Sequence, residues 1–423
     1  MRVLLISSNR SEIYMRTIPL GLGCVASALR QAGHEVQILD LMGIADVSKS
    51  LSGAVRQLRP DAVGISLRNI DDQNMRSPRL FLGEAKEIIE QVRCLSPAPI
   101  ILGGAGYSIF PEAALERSGA DMGVCGEGEE TFRLVLERME RKEPLAGLPG
   151  LYLKGKGLQG ARVFVKDLDR LPLPGSDILS LAQGEATLPV QTRRGCPLGC
   201  IYCSTASIEG RAVRRRSPKK VVEWIARWAE EDVRQLYLVD NTFNLPPSYA
   251  KDLCRELADA SCGVSWRSIV YPFGMDEDLA ALMAEAGCVE ASLGFESGCE
   301  RILKISKKRF RPPDVARARA LLGRSGIRCM GFLLLGGPGE TRDSVKESLA
   351  FADSLDLDAL KITIGLRIYP QTPLALQAVK EGVVEAGDDL LFPRFYMAAG
   401  LENWVRETVY SYAEGRPNWI VDR

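Results

Sequence analysis

The sequence predicts an α/β protein with two domains: a doubly wound (Rossmann-like) domain, then a partial (β/α)6 barrel with a short C-terminal helical cap. Three observations lead to this prediction. The chain has 423 residues, which is too long for one ordinary core of about 150 residues. Short apolar runs alternate with amphipathic helical patterns in two separate series. A stretch rich in Gly and Pro divides the two series.

The first series covers residues 1–143. Its apolar runs predict parallel strands at residues 3–6, 36–39, 62–66, 100–102 and 122–124, with helical patterns between them, for example at 20–32 and 81–92. In a doubly wound sheet the ligand crevice lies beyond the carboxyl ends of the strands. The residues that follow the runs, at 7–9, 66–69, 103–106 and 126–129, are therefore expected to share one edge.

Residues 144–187 read as a linker that contains one hairpin, in which 150–153 pair with 161–165. Residues 188–375 repeat the strand–helix pattern and predict a partial barrel, where chemistry collects at the carboxyl ends of the strands. The predicted strands are 188–192, 236–239, 265–269, 290–295, 328–335 and 359–364, and the predicted helices are 218–231, 249–260, 277–286, 313–325 and 341–355. Residues 376–423 form a tail with clustered aromatic residues.

Composition excludes several classes of protein. Apolar residues make up 46% and charged residues 26%, as in a folded soluble enzyme. The 54 basic and 54 acidic residues balance, so the chain has no net charge that would attract nucleic acid or an anionic membrane. Nucleic acid is therefore not expected as a partner. The N-terminus lacks a signal-peptide pattern, no run is long enough to span a bilayer, and a cytoplasmic location is expected. The single histidine, His34, rules out mechanisms that need several histidines.

The most specific motif lies directly after the first predicted barrel strand. Cys196, Cys200 and Cys203 have the spacing C-x3-C-x2-C. Three thiolates in one loop can hold a 4Fe-4S cluster whose fourth iron has no protein ligand nearby, and that iron can bind a substrate. A structural zinc is the alternative, but it requires four closed ligands, and the next cysteine in the chain is Cys254.

With this motif the second domain resembles the radical S-adenosylmethionine (SAM) superfamily. The resemblance implies that SAM chelates the open iron and that further contacts come from the ends of successive barrel strands. The residues implied as SAM-binding are Tyr202, Asp240, Asn241, Glu296, Ser297, Gly336, Arg367 and Tyr369. Arg301 and Lys304 follow the Glu296 loop and are candidates to neutralise the SAM carboxylate, with a solvated helix face as the alternative. Each loop is also compatible with ordinary turn chemistry.

The first domain resembles the cobalamin-binding domain of cobalamin-dependent radical SAM proteins. Glycines at its strand ends would let a flat corrin approach the backbone. The residues implied as cobalamin-binding are Ser8, Asn9, Leu20, Gly21, Arg68, Asn69, Gly103, Gly104, Ala105, Gly106, Glu127 and Gly128. The DxHxxG pattern that supplies a histidine below cobalt is absent. His34 lies in a turn before a strand, which favours a structural role, so cobalamin is expected to lack a histidine ligand.

The resemblance implies an enzyme, most simply a methyltransferase that acts on an unactivated carbon through a 5'-deoxyadenosyl radical and methylcobalamin. An external electron donor such as flavodoxin or ferredoxin is implied as a partner. The alternatives are a cyclisation, rearrangement or dehydrogenation without methyl transfer, a tRNA methylthiotransferase, and a non-catalytic cobalamin or redox sensor. A methylthiotransferase would need a second three-cysteine cluster, and Cys24, Cys94 and Cys125 are scattered.

Three features remain open at the sequence level. The tail aromatics Phe392, Phe395, Tyr396 and Trp404, with Met397, either pack on the barrel or form a lid over an apolar pocket for a small or lipid-like substrate. The basic run at 211–220 is either a solvated loop or a binding site for phosphate or substrate. Cys299, next to the Glu296 loop, is either a buried hydrophobe or a residue that faces the active site.

Overall fold

The computed structural model of the protein describes residues 1–10, 18–181 and 187–421. The chain divides into two compact units that exchange short segments. The first unit is Met1–Asp72, Pro78–Thr187 and Thr205–Gly210. The second unit is Gln73–Ser77, Leu188–Ser204 and Arg211–Arg423. Residues 205–210 therefore belong to the first unit although they follow the cysteine motif.

The first unit is the predicted doubly wound sheet. Its strands are β1 (Arg2–Ser7), β2 (Glu35–Asp40), β3 (Ala62–Ser66), β4 (Ile100–Gly103), β5 (Met122–Val124), β6 (Leu151–Leu153) and β7 (Gly157–Leu158). Its helices are α1 (Leu20–Gln31), α2 (Val47–Leu58), α3 (Leu82–Leu95), α4 (Ala105–Ile109), α5 (Pro111–Ser118), α6 (Gly128–Glu140) and α7 (Thr205–Glu209). The strand order is β2-β1-β3-β4-β5-β6-β7, with parallel pairing as far as β5. This confirms the fold class predicted for the first domain.

The apolar runs form these strands because both faces of the sheet are covered. Leu5 on β1 packs in a cluster with Leu29 of α1 and with Phe132 and Val135 of α6, all almost completely buried. α2, α3 and α5 pack against one another as a separate group. Continuous hydrophobic runs are typical of parallel strands that are buried on both sides.

The predicted hairpin exists, but its second strand lies elsewhere in the sequence. β6 pairs antiparallel with β7 at Gly157–Leu158, and not with residues 161–165. Gly155 and Gly157 both have positive φ and allow a tight reversal directly after β6. β6 also pairs with β5, so the hairpin extends the first sheet. Two short 3₁₀ helices follow, Leu168–Arg170 and Ser176–Leu181.

The second unit contains the predicted barrel. Its strands are β8 (Leu188–Val190), β9 (Arg193–Arg194), β10 (Arg214–Arg215), β11 (Gln235–Leu238), β12 (Ser265–Val270), β13 (Cys288–Glu296), β14 (Arg328–Leu335), β15 (Ala359–Ile364), β16 (Leu366–Arg367), β17 (Phe395–Tyr396) and β18 (Trp419–Val421). Its helices are α8 (Pro218–Glu230), α9 (Pro247–Ala260), α10 (Glu277–Glu285), α11 (Glu300–Ile305), α12 (Pro312–Arg324), α13 (Arg342–Ser354), α14 (Pro373–Lys380) and α15 (Glu402–Ala413).

The barrel strands are all parallel, in the order β8-β11-β12-β13-β14-β15-β18. β18 was not predicted: the tail contributes a helix, as expected, and also a strand that pairs with the edge of β15. The helices begin where the sequence supplies caps. Asp276 accepts a hydrogen bond from the Leu279 amide at α10, and Thr341 caps α13. Within the described residues, no helix is long and apolar enough to cross a membrane.

Candidate functional site

The cysteine loop lies at the carboxyl edge of the barrel sheet. It follows β8 and the short strand β9, and Gly195 begins it with a φ of +91°. Cys196 is buried, whereas Cys200 and Cys203 are partly exposed. The amide of Cys203 donates to the carbonyl of Cys200 over 3.3 Å, and the amide of Leu374 on α14 donates to the carbonyl of Ile201 over 3.0 Å. These bonds hold the loop to the barrel.

The donor set of this loop fits an iron–sulfur cluster. In the described part of the chain, no three Cys, His or carboxylate side chains lie close enough together to hold a single metal ion. Three thiolates in one loop are a donor set with which proteins hold an iron–sulfur cluster. Burial raises the pKa of the Cys200 thiol, and the neighbouring Lys308 ammonium acts in the opposite direction. Such a cation favours the thiolate that iron requires.

Lys308 is a site residue that sequence reasoning missed. Its side chain is only 5% exposed, and its Nζ lies 3.1 Å from Oε1 of Glu296. The ammonium is 5.4 Å from the ring centroid of Tyr202, and its charge acts on both Tyr202 and Cys200. Burial alone lowers the pKa of Lys308, but the Glu296 carboxylate and its other neighbours raise it overall, so the side chain stays charged.

The two cations proposed from the sequence lie elsewhere. Lys304 is 73% exposed and pairs with Glu300 at 2.7 Å. Arg301 donates to the carbonyl of Gly339 over 2.7 Å. Arg301 and Lys304 lie in α11, directly after the Glu296 loop. Lys308 follows α11, and its side chain turns back toward Glu296. The cation next to the cysteine loop is therefore Lys308.

Of the two residues expected at the end of β13, Glu296 contacts Lys308, and Ser297 is hydrogen-bonded within the protein. Glu296 has a φ of +64°, follows a register shift in the β13–β14 pairing and meets Lys308. Ser297 is buried, and its Oγ bonds Oγ of Ser348 over 2.8 Å and accepts from the Cys299 amide over 3.1 Å. The hydroxyl of Ser297 thus fixes the start of α11, and the SAM contact expected of Ser297 stays a prediction. Cys299 itself is buried directly before α11.

The carboxylate of Asp240 is bonded to the segment that leads into the cysteine loop, and the SAM contact expected of this residue stays a prediction. Its carboxylate is fully buried and accepts from the amide and hydroxyl of Thr192, over 2.8 and 2.6 Å, and from the amide of Arg193 over 3.1 Å. The guanidinium Nε of Arg193 lies 3.3 Å from Oδ2. Asp240 therefore fixes the segment between β8 and β9 that leads into the cysteine loop. Asn241, the next residue, is partly exposed at the same edge.

The glycine loop after β14 is held by its own glutamate. Oε2 of Glu340 accepts from the amides of Gly336 and Gly337, while Oε1 is buried and has no hydrogen-bond partner among the described residues. Burial raises the pKa of Glu340 to about 7. The carbonyl of Gly336 accepts from the Ala398 amide over 2.9 Å. The N–H of Gly336 is thus already used within the chain, and the SAM contact expected of Gly336 stays a prediction.

The two residues expected at the end of the sixth strand are likewise bonded within the unit. The guanidinium of Arg367 is buried and donates to the carbonyls of Ile368, Leu390 and Leu391. The hydroxyl of Tyr369 accepts from Nε2 of Gln73 over 2.9 Å. Arg367 therefore anchors the tail to the barrel, and the SAM contacts expected of Arg367 and Tyr369 stay predictions.

The tail lies against the carboxyl edge of the barrel. β17 pairs with β16, and Met397 packs so closely on Gly336 that a Cβ added there would lie 2.7 Å from its sulfur. Tyr396 is buried and donates to Oε2 of Glu381 over 2.5 Å. Phe392 is 54% exposed, and Trp404 stacks with Arg342 on α13. Met397 thus covers the loop after β14, whereas Trp404 packs on the outer helices.

In the first unit, the residues expected to bind cobalamin all follow the carboxyl ends of parallel strands. Arg68, Asn69 and Ala105 are exposed there, and Asn9, Leu20, Gly103, Gly104 and Gly128 are partly exposed. Two others turn toward the protein. Ser8 is buried and donates its hydroxyl to the carbonyl of Ser66 over 2.8 Å, and Glu127 accepts from the Val165 amide over 2.7 Å. Gly21 lies open on the first turn of α1.

Gly104 and Gly106 are required by the protein's own backbone. Gly104 has a φ of +102°, and a Cβ there would lie 2.5 Å from the carbonyl oxygen of Leu67. A Cβ on Gly106 would lie 2.6 Å from the carbonyl carbon of Asn69, and the Gly106 amide donates to the Leu67 and Arg68 carbonyls over 3.0 and 2.8 Å. These glycines lock the loop after β4 onto the loop after β3, which carries Arg68 and Asn69 to the edge.

His34 lies at the opposite edge of this sheet. It precedes β2, and its Nδ1 is 3.2 Å from the amino nitrogen of Met1, next to the start of β1. Its ring is buried, and Nε2 has no hydrogen-bond partner in the described structure. Burial lowers the pKa of His34. The imidazole is therefore separated by the length of the sheet from the carboxyl edge.

Comparison with known proteins matches both units. Residues 7–136 match the family model of the B12 binding domain, and residues 190–352 match that of the radical SAM superfamily. An uncharacterized methyltransferase of Pyrococcus horikoshii is 28% identical over 91% of this chain and 84% of its own length. Tryptophan 2-C-methyltransferase of Streptomyces laurentii is 27% identical over 87% of this chain and 73% of its own length.

The fold also matches a solved structure over the whole chain. The radical SAM methyltransferase TsrM from Kitasatospora setae, solved with cobalamin and a [4Fe-4S] cluster bound, superposes with a TM-score of 0.89 and 22% identity over 100% of this chain and 91% of its own. The two family models imply the same cofactors for this chain: SAM, a 4Fe-4S cluster and cobalamin. With a B12-binding domain in its first unit and a radical SAM domain in its second, the protein belongs to the cobalamin-dependent radical SAM enzymes.

Proposed function

We propose that the protein is a methyltransferase that adds a methyl group to an unactivated carbon of a small, largely apolar substrate. The observation that carries this proposal is that one chain joins a three-cysteine barrel loop to a B12-binding domain. Relatives that are methyltransferases support it. When bound, SAM and the reduced cluster supply a carbon-centred radical and cobalamin carries the methyl group. The protein itself has to hold, orient and shield these groups.

The residues of the second unit have separate tasks in this scheme. Cys196, Cys200 and Cys203 are the ligands of the cluster. Asp240 fixes the segment that enters their loop. The buried pair of Lys308 and Glu296 places one positive and one negative group beside Cys200 and Tyr202, where the charged ends of SAM would need partners. A general base is not required at the substrate carbon, since its hydrogen would leave as an atom and not as a proton.

The tail is proposed to line the substrate side of the barrel edge. Met397, which covers Gly336, is apolar, and Tyr396 next to it is held by Glu381. An apolar cover of this kind suits a hydrophobic substrate and excludes water. Truncation of the tail is a poor test because it would also remove β18 from the sheet and the carbonyls that hold Arg367. Met397→Ala should lower substrate-stimulated SAM cleavage, whereas Phe392→Ala, on an exposed side chain, should leave it unchanged.

The decisive experiment is anaerobic turnover with SAM labelled by a trideuterated methyl group. The first probe is tryptophan, the substrate named for one relative, followed by a panel of hydrophobic small molecules. A methyltransferase yields a product that carries the label. Cyclisation, rearrangement or dehydrogenation yields a product without the label, and a sensor consumes no SAM. The triple change of Cys196, Cys200 and Cys203 to alanine should remove cluster iron and abolish the reaction.

We also propose that cobalt has no histidine ligand in this enzyme. The argument rests on the composition, with one histidine in the chain, and on the place of His34 at the amino edge of the sheet. In His34→Ala, the paramagnetic spectrum of bound cob(II)alamin should match that of the unchanged protein. Loss of a nitrogen splitting from a protein ligand in this variant would contradict the proposal.

A further inference from the structure

The basic run that follows the cysteine motif forms an exposed, structurally fixed patch next to the cluster loop. Arg211, Arg215, Lys219 and Lys220 are all exposed. We call these four residues the basic patch. The chain as a whole has a net charge of zero, so this is a local concentration of positive charge. Glu223, one turn further along α8, is the exposed acidic residue nearest to it in the sequence.

The patch is held in place by the strand that leads into the cysteine loop. β10 pairs antiparallel with β9, so that Arg214 lies opposite Arg194 and Arg215 opposite Arg193. Arg214 and Arg216 are buried, while Arg215 between them points outward, as alternation along a strand requires. The hydroxyl of Tyr249 donates to the carbonyl of Arg216 over 2.7 Å. A solvated loop would not need this support.

The patch lies close to the cluster ligands along the chain and across one strand pairing. Arg194 on β9 is two residues from Cys196, so a protein that docks on β10 comes within a few residues of a cluster ligand. Two lysines occupy the first turn of α8, which contains no acidic residue, although positive charge is unfavourable at a helix N-terminus. Their placement adds to the positive field of the patch at some cost to the helix. Positive patches accelerate the approach of acidic partners.

We infer that the basic patch is the docking surface for an acidic one-electron carrier protein of the flavodoxin or ferredoxin type. This inference rests on the proposed function, because only a cluster that must be reduced requires such a partner. In the step itself, one electron passes from the reduced carrier to the oxidised cluster, and no bond forms or breaks. The interface is expected to be small and transient, as is usual for redox partners.

The test uses the holoenzyme with Arg211, Arg215 and Lys219 changed to glutamate, and a milder variant with the same residues changed to glutamine. Stopped-flow absorbance measures the rate of cluster reduction by reduced flavodoxin at low salt. The glutamate variant should be reduced at least about tenfold more slowly than the unchanged protein, and the glutamine variant should show a smaller decrease in rate. Added salt should slow the unchanged protein more than either variant. The control reverses three exposed charges on α2 and α13, Lys49, Arg56 and Lys346, and should react normally.

Reduction by dithionite separates this inference from the proposed function. All variants should be reduced by dithionite at the rate of the unchanged protein, with the same iron content. If the unchanged protein holds no cluster or does not cleave SAM with dithionite, the proposed function fails. If the cluster is intact and flavodoxin reduces the glutamate variant as fast as the unchanged protein, the docking surface is wrong. Loss of RNA binding with an unchanged flavodoxin rate would instead assign the patch to nucleic acid and overturn the inference.

Discussion

The change Asp240→Asn discriminates between a structural role and a SAM contact for this residue. Asp240 is completely buried, accepts three hydrogen bonds from Thr192 and Arg193, and balances the charge of Arg193, which is itself 2% exposed. Asparagine can keep the acceptor for the two amides. Its NH₂ group, however, would meet the Thr192 hydroxyl and the Arg193 guanidinium, and the charge of Arg193 would lose its counterion.

The magnitude follows from the geometry of this pair. Two unit charges 3.3 Å apart attract each other by about 5 kcal/mol at an effective dielectric constant of about 20. Removal of one partner from a buried pair typically costs about 3–5 kcal/mol. Arg193 keeps its bond to the Leu245 carbonyl and its stacking on Tyr249, which favours the lower end of this range. A loss of about 3 kcal/mol corresponds to a fall in the melting temperature of about 6–12 °C for a unit of this size.

Anaerobic calorimetry of the holoenzyme provides the measurement, and SAM affinity is determined by titration on the same samples. Asn241→Ala is the matched control, because this neighbour is partly exposed and outside the buried pair. A second change, Arg193→Met, should recover part of the stability lost in Asp240→Asn. If Asp240→Asn melts like the unchanged protein but binds SAM much more weakly, the structural interpretation is refuted and the contact first expected from the sequence is correct.

Three further predictions concern other parts of the molecule. Gly106→Ala places a Cβ 2.6 Å from the backbone of Asn69, so it should reduce stability and also corrin binding, which is measured by visible absorbance. Gly21→Ala is the control and should be tolerated, because a Cβ at this position meets open space. The pKa of Glu340 is raised from 4.5 to about 7, so the stability that this residue contributes is present at low pH and is lost as the pH rises from about 4.5 through 7. Glu340→Gln should remove about 3 kcal/mol of this pH dependence from the free energy of unfolding, measured by denaturation between pH 4.5 and 7.5. If the free energy of unfolding of the variant varies with pH as it does in the unchanged protein, the assignment is contradicted. Lys308→Met should weaken SAM binding, measured by calorimetric titration, about tenfold or more. Lys304→Met changes an exposed residue and should leave SAM binding unchanged. Equal effects of the two changes would show that the buried position of Lys308 is irrelevant.

The sequence predicted most of the fold because the relevant signals are local. Strand runs and helical periods depend on neighbours within about ten residues, and both series were identified with nearly correct bounds. β18 escaped prediction because three residues, Trp419–Val421, are too short to show a period. The hairpin partner of β6 was misplaced because the deciding feature is the positive φ of Gly155 and Gly157, which the sequence permits but does not require.

The site was predicted in part, for a related reason. The sequence pattern predicts which residues lie at the ends of strands. Cys196, Glu296 and Asp240 all lie at such ends. Whether a side chain turns toward a ligand or back to its own backbone depends on packing. Asp240 turns back and Glu296 does not. Lys308 lies beyond α11 with no motif around it, so its contact with Glu296 is visible only in three dimensions.

The exchange of segments between the two units has a consequence for how such a protein can be divided or recombined. A fragment ending at residue 187 would lack residues 205–210, where the Ser207 carbonyl accepts from Arg162 and Phe164 packs over Gly210. It would also expose residues 73–77, whose Met75 lies against Gly365 of the barrel. A barrel expressed alone would lose that same segment. Gene fusion or domain shuffling at the apparent boundary would therefore damage both halves, and the two units are expected to be inherited, expressed and engineered as one piece.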